Sequence, residues 1–571
     1  MAEIKPSPGR SRRDGPSSRR AFLQRSAGVA LAVPAVAAGA SAWLHAARPA
    51  AARSEPGTLI IADNLKDNWD TLDPARVYGD NPMAAMNVIY ETLYHLPDVP
   101  PSATGPAGPD LGSLHEPLLA ADFPGVSADG RELTIPLRRG VTFQHTGNEM
   151  TADDWVFSWL RLGHMRHRPF YFYAEHIAHV EAIDTYTLGV RLIRPNVAIV
   201  ALLSAPQFSV TDRKAVIEHG GVTELPLGET DPALAFMQDN SAGTGPYQLV
   251  RFDVDSEVVV ERNPRYWGEA PKLEQIVWRQ TLPDAQVGAV LAGEADVAYT
   301  VEPGAIARLE ADPSVQVLSG ASLQVGYLAL SMRPRVGGPL AIKELRQAIG
   351  HAIDYDGILT GLAAGRAVRP ATVVPFGLLG AAEVRDKGYR HNLARARELF
   401  RASGLGTATL TLAYSAGEAS PSGIPMEALV AKIRDDLQQI EGLTVVLEPM
   451  EGARRFREYR EGRLQFNFSN WSALWADVHY FALAFGHTGG DAARRLGYAN
   501  PALDALLAEG IAERDVEKRA RIYAAIQEQF IEDAVYLAIE QPEHIKVAAA
   551  NVRGVQVHPM YQLQLRHASK A

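Results

Sequence analysis

The positions of apolar residues along the chain predict strands that alternate with helices. Residues 58–62 form a short apolar run of strand length. In residues 82–94, apolar side chains return at intervals close to the helical period, so a helix is expected there. The same alternation continues almost to the C-terminus, and the sequence therefore predicts an α/β protein.

Two further helices carry local signals. The Thr-x-x-Asp pattern at 151–154 is typical of a capping box, in which hydroxyl and carboxylate satisfy free N–H groups of the first turn. A helix is therefore predicted over 155–162. Near the C-terminus, apolar residues recur at intervals of four within 516–531, with charged residues on the other faces. This pattern predicts an amphipathic helix, followed by an apolar strand at 534–539.

Proline and glycine mark the connections between these elements. Residues 97–111 and 220–232 are rich in both and are predicted to be surface loops. The Gly-Thr-Gly-Pro-Tyr segment at 243–247 predicts a tight turn before a strand, because glycine is free to adopt positive φ. No Lys-Ser/Thr pair follows it, so it does not indicate a phosphate-binding loop. The Asn-Pro pair at 263–264 is predicted to end a strand that begins near Glu257.

Length and composition restrict the class of protein. A chain of 571 residues is too long for one ordinary core, so at least two lobes are expected. Hydrophobic residues make up 47% and charged residues 21%, as in a soluble globular protein, and no basic aromatic patch indicates nucleic-acid binding. Cysteine is absent, which excludes disulfides, thiolate nucleophiles and Cys-ligated metal.

The N-terminus has the three-part pattern of an export signal. Ser-Arg-Arg-Ala-Phe-Leu-Gln at 18–24 is typical of the twin-arginine class, and a weakly apolar stretch follows at 27–42. Because Pro34 interrupts this stretch and it is short for a spanning helix, we expect residues 1–47 to be a removable leader and the protein to be periplasmic. The leader has seven Lys or Arg and two acidic residues, so the net charge of −10 becomes −15 without it.

Several further segments stand in a characteristic order between residues 58 and 557. They are Leu-Asp-Pro at 72–74, Ser-Ala-Asp-Gly at 127–130, Leu-Arg-Arg-Gly-Val-x-Phe at 137–143, Glu-Arg-Asn-Pro-x-Tyr-Trp at 261–267, Leu-Ala-Gly-Glu-Ala-Asp at 291–296 and Ala-Ile-Asp at 352–354. Together with the segments at 151–154 and 243–247, this set resembles family 5 of the bacterial extracellular solute-binding proteins, the group that includes oligopeptide-, dipeptide- and nickel-binding components of ABC importers.

The resemblance implies a fold and a function. It implies a two-lobed periplasmic-binding-protein-like fold, with an extra subdomain in the first lobe and with crossing strands that join the lobes. Applied to this chain, the first lobe is expected at 57–315, the second at 320–525, and a C-terminal return to the first lobe at 526–571. The implied function is capture of a peptide or similar small polar solute, and its delivery to membrane permease subunits by a monomeric protein without a cofactor.

The resemblance also implies candidate ligand-binding residues. Segment 470–478 looks like the region in which peptide-binding members place a tryptophan and an aspartate. On this basis Asp477 is predicted to pair with the ligand's α-ammonium group, and Trp471 and Trp475 to form apolar walls. His479 is predicted to line the same cleft. The segment lacks the family's glycine before tryptophan and its Tyr or Pro after aspartate, so an interior aromatic cluster, with Asp477 as a helix cap or a surface charge, remains the alternative.

Histidine pairs raise the possibility of a metal site. His164 with His167, and His176 with His179, have the spacing that places two imidazoles on one face of a helix. No carboxylate completes a recognisable zinc motif, and basic residues surround the first pair, so no metal ligand is predicted.

Other functions remain open at this point. The sequence contains no Gly-x-Ser-x-Gly, His-Glu-x-x-His or P-loop pattern, so no enzyme activity is predicted. Catalytic groups that assemble only in space leave no linear motif, and a secreted hydrolase therefore stays an alternative. A nickel-type metal-complex receptor and a chemosensory receptor on the same scaffold are the others. The residues do not identify the solute.

Overall fold

A computed structural model describes the chain from residue 57 to residue 571, except for residues 68, 80, 106–107, 168 and 225–230. The predicted leader at 1–47, with its twin-arginine segment, lies outside the described residues. Residues 225–230 of the predicted loop at 220–232 do so as well.

The strands lie throughout the described chain. They are β1 (Thr58–Asp63), β2 (Tyr94–His95), β3 (Glu116–Pro117), β4 (Gly125–Val126), β5 (Glu132–Pro136), β6 (Ile177–Asp184), β7 (Thr187–Leu192), β8 (Tyr247–Asp253), β9 (Glu257–Arg262), β10 (Gln275–Gln280), β11 (Val297–Ala298), β12 (Val315–Gly320), β13 (Gln324–Leu330), β14 (Ala367–Val368), β15 (Ala408–Ser415), β16 (Leu443–Met450), β17 (Phe466–Ser472), β18 (Tyr536–Pro542), β19 (His544–Ala549), β20 (Val552–Arg553), β21 (Gln556–His558), β22 (Gln562–Gln564) and β23 (Ser569–Lys570).

Helices alternate with these strands over most of the chain. They are α1 (Met83–Ile89), α2 (Ala152–His164), α3 (Phe170–Ala174), α4 (Ile199–Leu202), α5 (Arg213–Glu218), α6 (Leu234–Asp239), α7 (Pro283–Leu291), α8 (Ile306–Glu310), α9 (Pro334–Gly337), α10 (Lys343–Ala352), α11 (Leu393–Ala402), α12 (Met426–Leu437), α13 (Gly452–Arg460), α14 (Val478–Gly486), α15 (Asp491–Leu496), α16 (Pro501–Ala512) and α17 (Val516–Asp533). Within the described residues, none of them combines the length and apolar character needed to cross a bilayer.

The first lobe is built on a seven-stranded mixed sheet in the order β12-β19-β11-β1-β10-β9-β8. Strand β1 runs parallel to both of its neighbours, β10 and β11, and nearly all of its residues are buried, which explains its continuous apolar run. A separate antiparallel sheet, β4-β5-β7-β6, is inserted in the chain between β1 and β8. This insertion corresponds to the extra subdomain that the sequence led us to expect.

The second lobe has its own six-stranded sheet, in the order β14-β18-β13-β17-β15-β16. Its apolar core lies between the sheet and helices α10 to α12. The core of the first lobe continues into helices α14 to α17, which precede β18 in the chain. The chain therefore forms two lobes, each with a sheet of its own, as predicted.

Two short connections join the sheets. Residues 321–323 lead from β12 to β13, and Glu543 alone leads from β18 back to β19. The two crossings lie side by side, because Gly320 pairs with His544 on one side of them and Gly326 pairs with Glu540 on the other. Strand β18 belongs to the second lobe's sheet, so the strands return to the first lobe at 543 and not at 526. The prediction placed the return of the chain to the first lobe too early, because β18 pairs with the distant strand β13.

The local helix signals are confirmed. Helix α2 begins after Thr151, whose backbone N–H donates to the Asp154 carboxylate at 2.8 Å. Helix α17 covers the predicted amphipathic segment and extends it to Asp533. The strand expected at 534–539 begins later, at Tyr536, because Ala534 ends the helix in the left-handed conformation with φ 51°.

Helix α1 is shorter than the 82–94 prediction. It ends at Ile89, and Tyr90 is extended. The Ile89 carbonyl accepts hydrogen bonds from the Gln144 side chain at 2.7 Å and from the Gly245 N–H at 3.0 Å. These donors, which are distant in the sequence, take the place of the backbone N–H that would continue the helix. Helix α1 therefore ends at Ile89.

The contact between the end of α1 and segment 243–247 also explains why residues 243 and 245 are glycines. Neither Gly243 nor Gly245 has positive φ, so the predicted reason for them was wrong. A Cβ atom on Gly243 would lie 2.3 Å from the Ile89 carbonyl oxygen, and one on Gly245 would lie 2.5 Å from that of Val88. The glycines allow this close approach of two backbone segments.

Candidate functional site

The two tryptophans predicted to form apolar walls, Trp471 and Trp475, lie at the end of β17 and shortly after it. Trp471 is the last residue but one of β17 and lies opposite Val325 of β13. It is 9% exposed, and its ring lies 5.3 Å from that of Phe485 and 6.2 Å from that of Tyr480. Trp471 is therefore part of an aromatic cluster on the surface of the second sheet.

Trp475 connects the two lobes. It is 2% exposed, and its ring centroid lies 6.3 Å from that of His176, which immediately precedes β6 of the first lobe's subdomain. Tyr480 of helix α14 contacts its ring at 5.6 Å. The contact therefore joins the segment that follows β17 of the second lobe's sheet to the residue that precedes β6 of the subdomain.

Asp477 is the N-cap of helix α14. Its carboxylate accepts the backbone N–H of His479 at 2.7 Å, the usual role of an aspartate at this position. The Arg519 guanidinium, from helix α17, donates to both carboxylate oxygens at 3.0 and 2.7 Å. Both side chains are buried, so the protein itself supplies the cation for Asp477.

A second carboxylate faces this pair from the first lobe. Burial, followed by the charge of Asp477, raises the pKa of Asp110 to about 6. Asp110 belongs to the loop between β2 and β3, and a Cβ atom on Gly112 of that loop would lie 2.9 Å from the Ala476 carbonyl oxygen. The loop therefore packs tightly against the start of α14.

His479 is a buried and neutral histidine. Burial lowers its pKa well below the ordinary value, and its Nδ1 lies 2.7 Å from the hydroxyl of Tyr523. The structure thus brings Trp471, Trp475, Asp477 and His479 into one buried region. Contact of any of them with a ligand stays a prediction.

The histidine pairs do not share helix faces. Helix α2 ends at His164, so His167 lies beyond it, and His179 lies on strand β6 while His176 precedes that strand. The assumption of a helix for the spacing was wrong for both pairs. In the part of the chain that the structure describes, no three His, Cys, Asp or Glu side chains are grouped as metal ligands.

Sequence reasoning missed a carboxylate at the crossing between the lobes. Glu540 is fully buried on β18, and its carboxylate accepts a hydrogen bond from the Ser422 hydroxyl. Burial raises the pKa of Glu540, although the hydrogen bonds of Ser422 and Ser420 oppose this shift. The available signal was an acidic residue directly after the predicted apolar strand 534–539.

Arg455 is a second group that sequence reasoning missed. It lies on α13, and its guanidinium donates to the Ser415 hydroxyl at 2.7 Å and to the Phe468 carbonyl at 3.1 Å. Both partners are neutral. Burial lowers the pKa of Arg455, with Glu418 acting in the opposite direction. The guanidinium thus links β15 and β17 beyond their pair Ala413 and Asn467.

The two sheets and the adjacent crossings between them give the chain the two-lobed fold of periplasmic binding proteins. Residues 115–493 match the family model for bacterial extracellular solute-binding proteins, family 5 Middle. The chain therefore belongs to family 5 of the bacterial extracellular solute-binding proteins.

Known proteins resemble the chain over most of its length. The di/tripeptide-binding protein 2 of Pseudomonas aeruginosa is 27% identical over 541 residues, which are 90% of this chain and 95% of that protein. The glutathione-binding protein GsiB of Escherichia coli O1:K1 is 23% identical over 514 residues, or 88% and 92% of the two chains. The crystal structure of a dipeptide-binding protein from Pseudoalteromonas sp. SM9913 with Met-Leu has a TM-score of 0.75 at 20% identity, and the match covers 90% of this chain and all of that one.

Proposed function

We propose that the protein is the extracytoplasmic substrate-binding component of an ABC importer, which captures a peptide or similar small polar solute between its lobes. The single observation that carries the proposal is the pair of adjacent crossings, at 321–323 and Glu543, between two separate sheets. Two short adjacent connections allow rotation of one lobe against the other with little change elsewhere. The names of the relatives support peptides as the solute class.

Closure around a solute follows from the contacts between the lobes. A solute held between two mobile bodies gains contacts that exist only in the closed state, and it thereby shifts the population toward that state. The contact between Trp475 and His176 is of this kind, since it joins groups attached to different sheets. Delivery then requires a permease that recognises the closed form.

The proposal includes specific lining residues. Trp471, Trp475 and His479 are proposed to line the cleft, and their neutral, flat side chains suit a site that accepts varied solutes. Asp477 as the partner of a ligand ammonium also remains a proposal. It competes with the pair that Asp477 makes with Arg519, which already neutralises the carboxylate.

Export by the twin-arginine route to the periplasm, with cleavage of residues 1–47, is part of the proposal. Its support is the Arg-Arg pattern at 18–24 and the periplasmic-type fold. The protein is proposed to act as a monomer, without a cofactor and without chemical change of the solute.

Distance measurements between the lobes test whether the lobes close on a solute. Because the chain has no cysteine, a double variant L282C/V446C can be labelled at one exposed site in each lobe. The V368C/V446C pair, with both sites on the six-stranded sheet, is the control. With a mixture of dipeptides and tripeptides, we expect the distance between lobes to shorten while the control distance stays constant.

The same samples separate a receptor from a hydrolase. A receptor binds stoichiometrically and releases its peptide intact, whereas a hydrolase consumes a labelled peptide pool. An unchanged distance between the lobes, or turnover of the peptides, would contradict the proposed function. Native mass spectrometry of protein purified from its own periplasm then identifies the retained solute.

A further inference from the structure

Glu540 has a neighbourhood unlike that of the buried carboxylates Asp73, Asp477 and Glu91. Its side chain is 0% exposed, and it lies two residues before the end of β18, next to the crossing at 543. Its hydrogen-bond donors are the Ser422 hydroxyl and, at 3.4 Å, the Ser422 N–H. The Ser420 hydroxyl lies 3.3 Å from that of Ser422 and extends the group. The site thus consists of a carboxylate and neutral donors.

Three other buried carboxylates of the described chain have a cation of their own, while Asp154 and Asp212 are bound by neutral donors at the start of helices α2 and α5. Arg161 pairs with Asp73 at 2.6 Å, Arg519 with Asp477 at 2.7 Å, and Arg566 with Glu91 at 3.1 Å; all three carboxylates are at most 3% exposed. Over the described residues, no Lys, Arg or His nitrogen lies within 4.0 Å of the Glu540 carboxylate. Glu540 therefore differs from these groups in its missing counter-charge, and not in its burial.

The backbone makes room for this side chain. Gly326 lies opposite Glu540 across the two strands, and a Cβ atom there would lie 2.9 Å from the Glu540 Cγ and 2.8 Å from the Phe468 ring. A register shift follows directly after Gly326, so the strand pairing is irregular at this point. The glutamate thus occupies a space that exists only because residue 326 is glycine.

The group also lies beside the junction of the lobes. The loop that carries Ser420 and Ser422 continues to Gly423, where a Cβ atom would lie 2.9 Å from the Pro303 ring and 3.0 Å from the Val301 carbonyl oxygen of the first lobe. Movement of the lobes apart would therefore move this loop relative to the first lobe. Because the Glu540 side chain is 0% exposed, a solute would reach it only if this contact opens before the lobes close on the solute.

An ionised carboxylate in this place is costly without a cation. Desolvation of a carboxylate costs several kcal/mol, and two hydroxyl donors offset only part of it. An ammonium or guanidinium group supplies both the opposite charge and several donors, with hydrogen bonds about twice as strong as neutral ones. The missing element of the site is therefore cationic.

We propose that Glu540, assisted by Ser420 and Ser422, binds an ammonium or guanidinium group of the captured solute. The inference rests on the proposed function and deepens it, because it assigns a cationic group to the solute and a position to that group beside the crossings. The opposing interpretation is a neutral glutamic acid that serves only the packing of β18.

Substitution by an isosteric neutral side chain separates the two interpretations. Glu540→Gln retains shape and hydrogen bonding but not charge, and Glu132→Gln is the matched control, since Glu132 is an exposed residue of strand β5 that pairs with Arg191 at 2.9 Å. The probes for calorimetry are Ala-Ala, Lys-Ala and their fully N-acetylated forms. We expect the free amines to bind the wild type, and Glu540→Gln to weaken this binding at least 30-fold, as truncation of a desolvated charge pair does. Glu132→Gln is expected to bind as the wild type does.

The possible outcomes distinguish this inference from the proposed function. Equal affinity of wild type and Glu540→Gln for a free amine, or equal binding of the acetylated forms, overturns the inference and leaves solute capture intact. If none of the probes binds, native mass spectrometry of the periplasmic protein decides. A retained solute without an amine or guanidine group overturns the inference alone, and the absence of any retained solute contradicts the proposed function together with it.

Discussion

Asp477 and Glu540 are both buried carboxylates near the places where chain segments leave the second lobe's sheet, yet their surroundings are opposite. Asp477 has a helix N-terminus and a bidentate arginine. Glu540 has two serines. The comparison teaches that burial and residue type do not identify a ligand partner. The deciding question is whether the protein already supplies the counter-charge.

The difference changes how the sequence prediction for Asp477 is understood. That prediction assumed a buried carboxylate without a cation, which a peptide N-terminus would then neutralise. Arg519, 42 residues further along the chain, fills that role in the structure. The premise of the prediction applies better to Glu540, where no such partner is present among the described residues.

Among the tests of this comparison, removal of Asp477 is expected to have the largest effect on stability. Asp477→Ala leaves the buried Arg519 without its carboxylate, so we expect the free energy of unfolding to fall by about 3–5 kcal/mol in urea titrations. The control is Glu451→Ala, which removes an exposed N-cap from helix α13 and is expected to cost about 1 kcal/mol. Equal losses for the two variants, together with weaker peptide binding by Asp477→Ala only, would instead favour Asp477 as the ligand partner.

Gly326→Ala tests the space that Glu540 occupies, with a smaller expected effect. The added methyl group would meet the Glu540 side chain and the Phe468 ring, so we expect a loss of about 1–3 kcal/mol in the same titrations. Gly288→Ala is the control, since a Cβ atom there meets nothing within 4 Å inside helix α7, and alanine should stabilise this helix by up to about 1 kcal/mol. A neutral Gly326→Ala would show that Glu540 is not held in place as described.

The smallest effect is expected in the pH dependence of the stability of the ligand-free protein. Because burial raises the pKa of Glu540 above its ordinary 4.5, the folded protein binds this proton more tightly than the unfolded chain. The group's contribution to stability is therefore lost as pH rises from 4.5 through the folded pKa. One group changes the free energy of unfolding by at most about 1.4 kcal/mol per pH unit.

Glu540→Gln removes this contribution, so the variant should gain stability relative to the wild type as pH rises. Urea titrations of both proteins at pH 5, 6 and 7 measure the difference. Parallel pH profiles would mean that Glu540 ionises as easily in the fold as in the unfolded chain. In that case the missing counter-charge would have no energetic consequence for Glu540, and the comparison with Asp477 would fail.

The amino-acid sequence by itself determined the local elements and the scaffold. The capping box at 151–154 and the amphipathic segment at 516–531 predict helices correctly, because capping and periodicity depend on neighbours within a few turns. The ordered motifs indicated family 5, and the family model that matches residues 115–493 confirms it.

Only the tertiary structure decided where elements stop and which charges are matched. Helix α1 ends at Ile89 because Gln144 and Gly245 bind its carbonyl from far along the chain. Arg519 neutralises Asp477, while nothing of the kind approaches Glu540 in the described chain. The physical reason is common to these cases: a hydrogen bond or an ion pair acts over a few ångströms in space, and linear sequence does not record which distant residues the fold brings within that range.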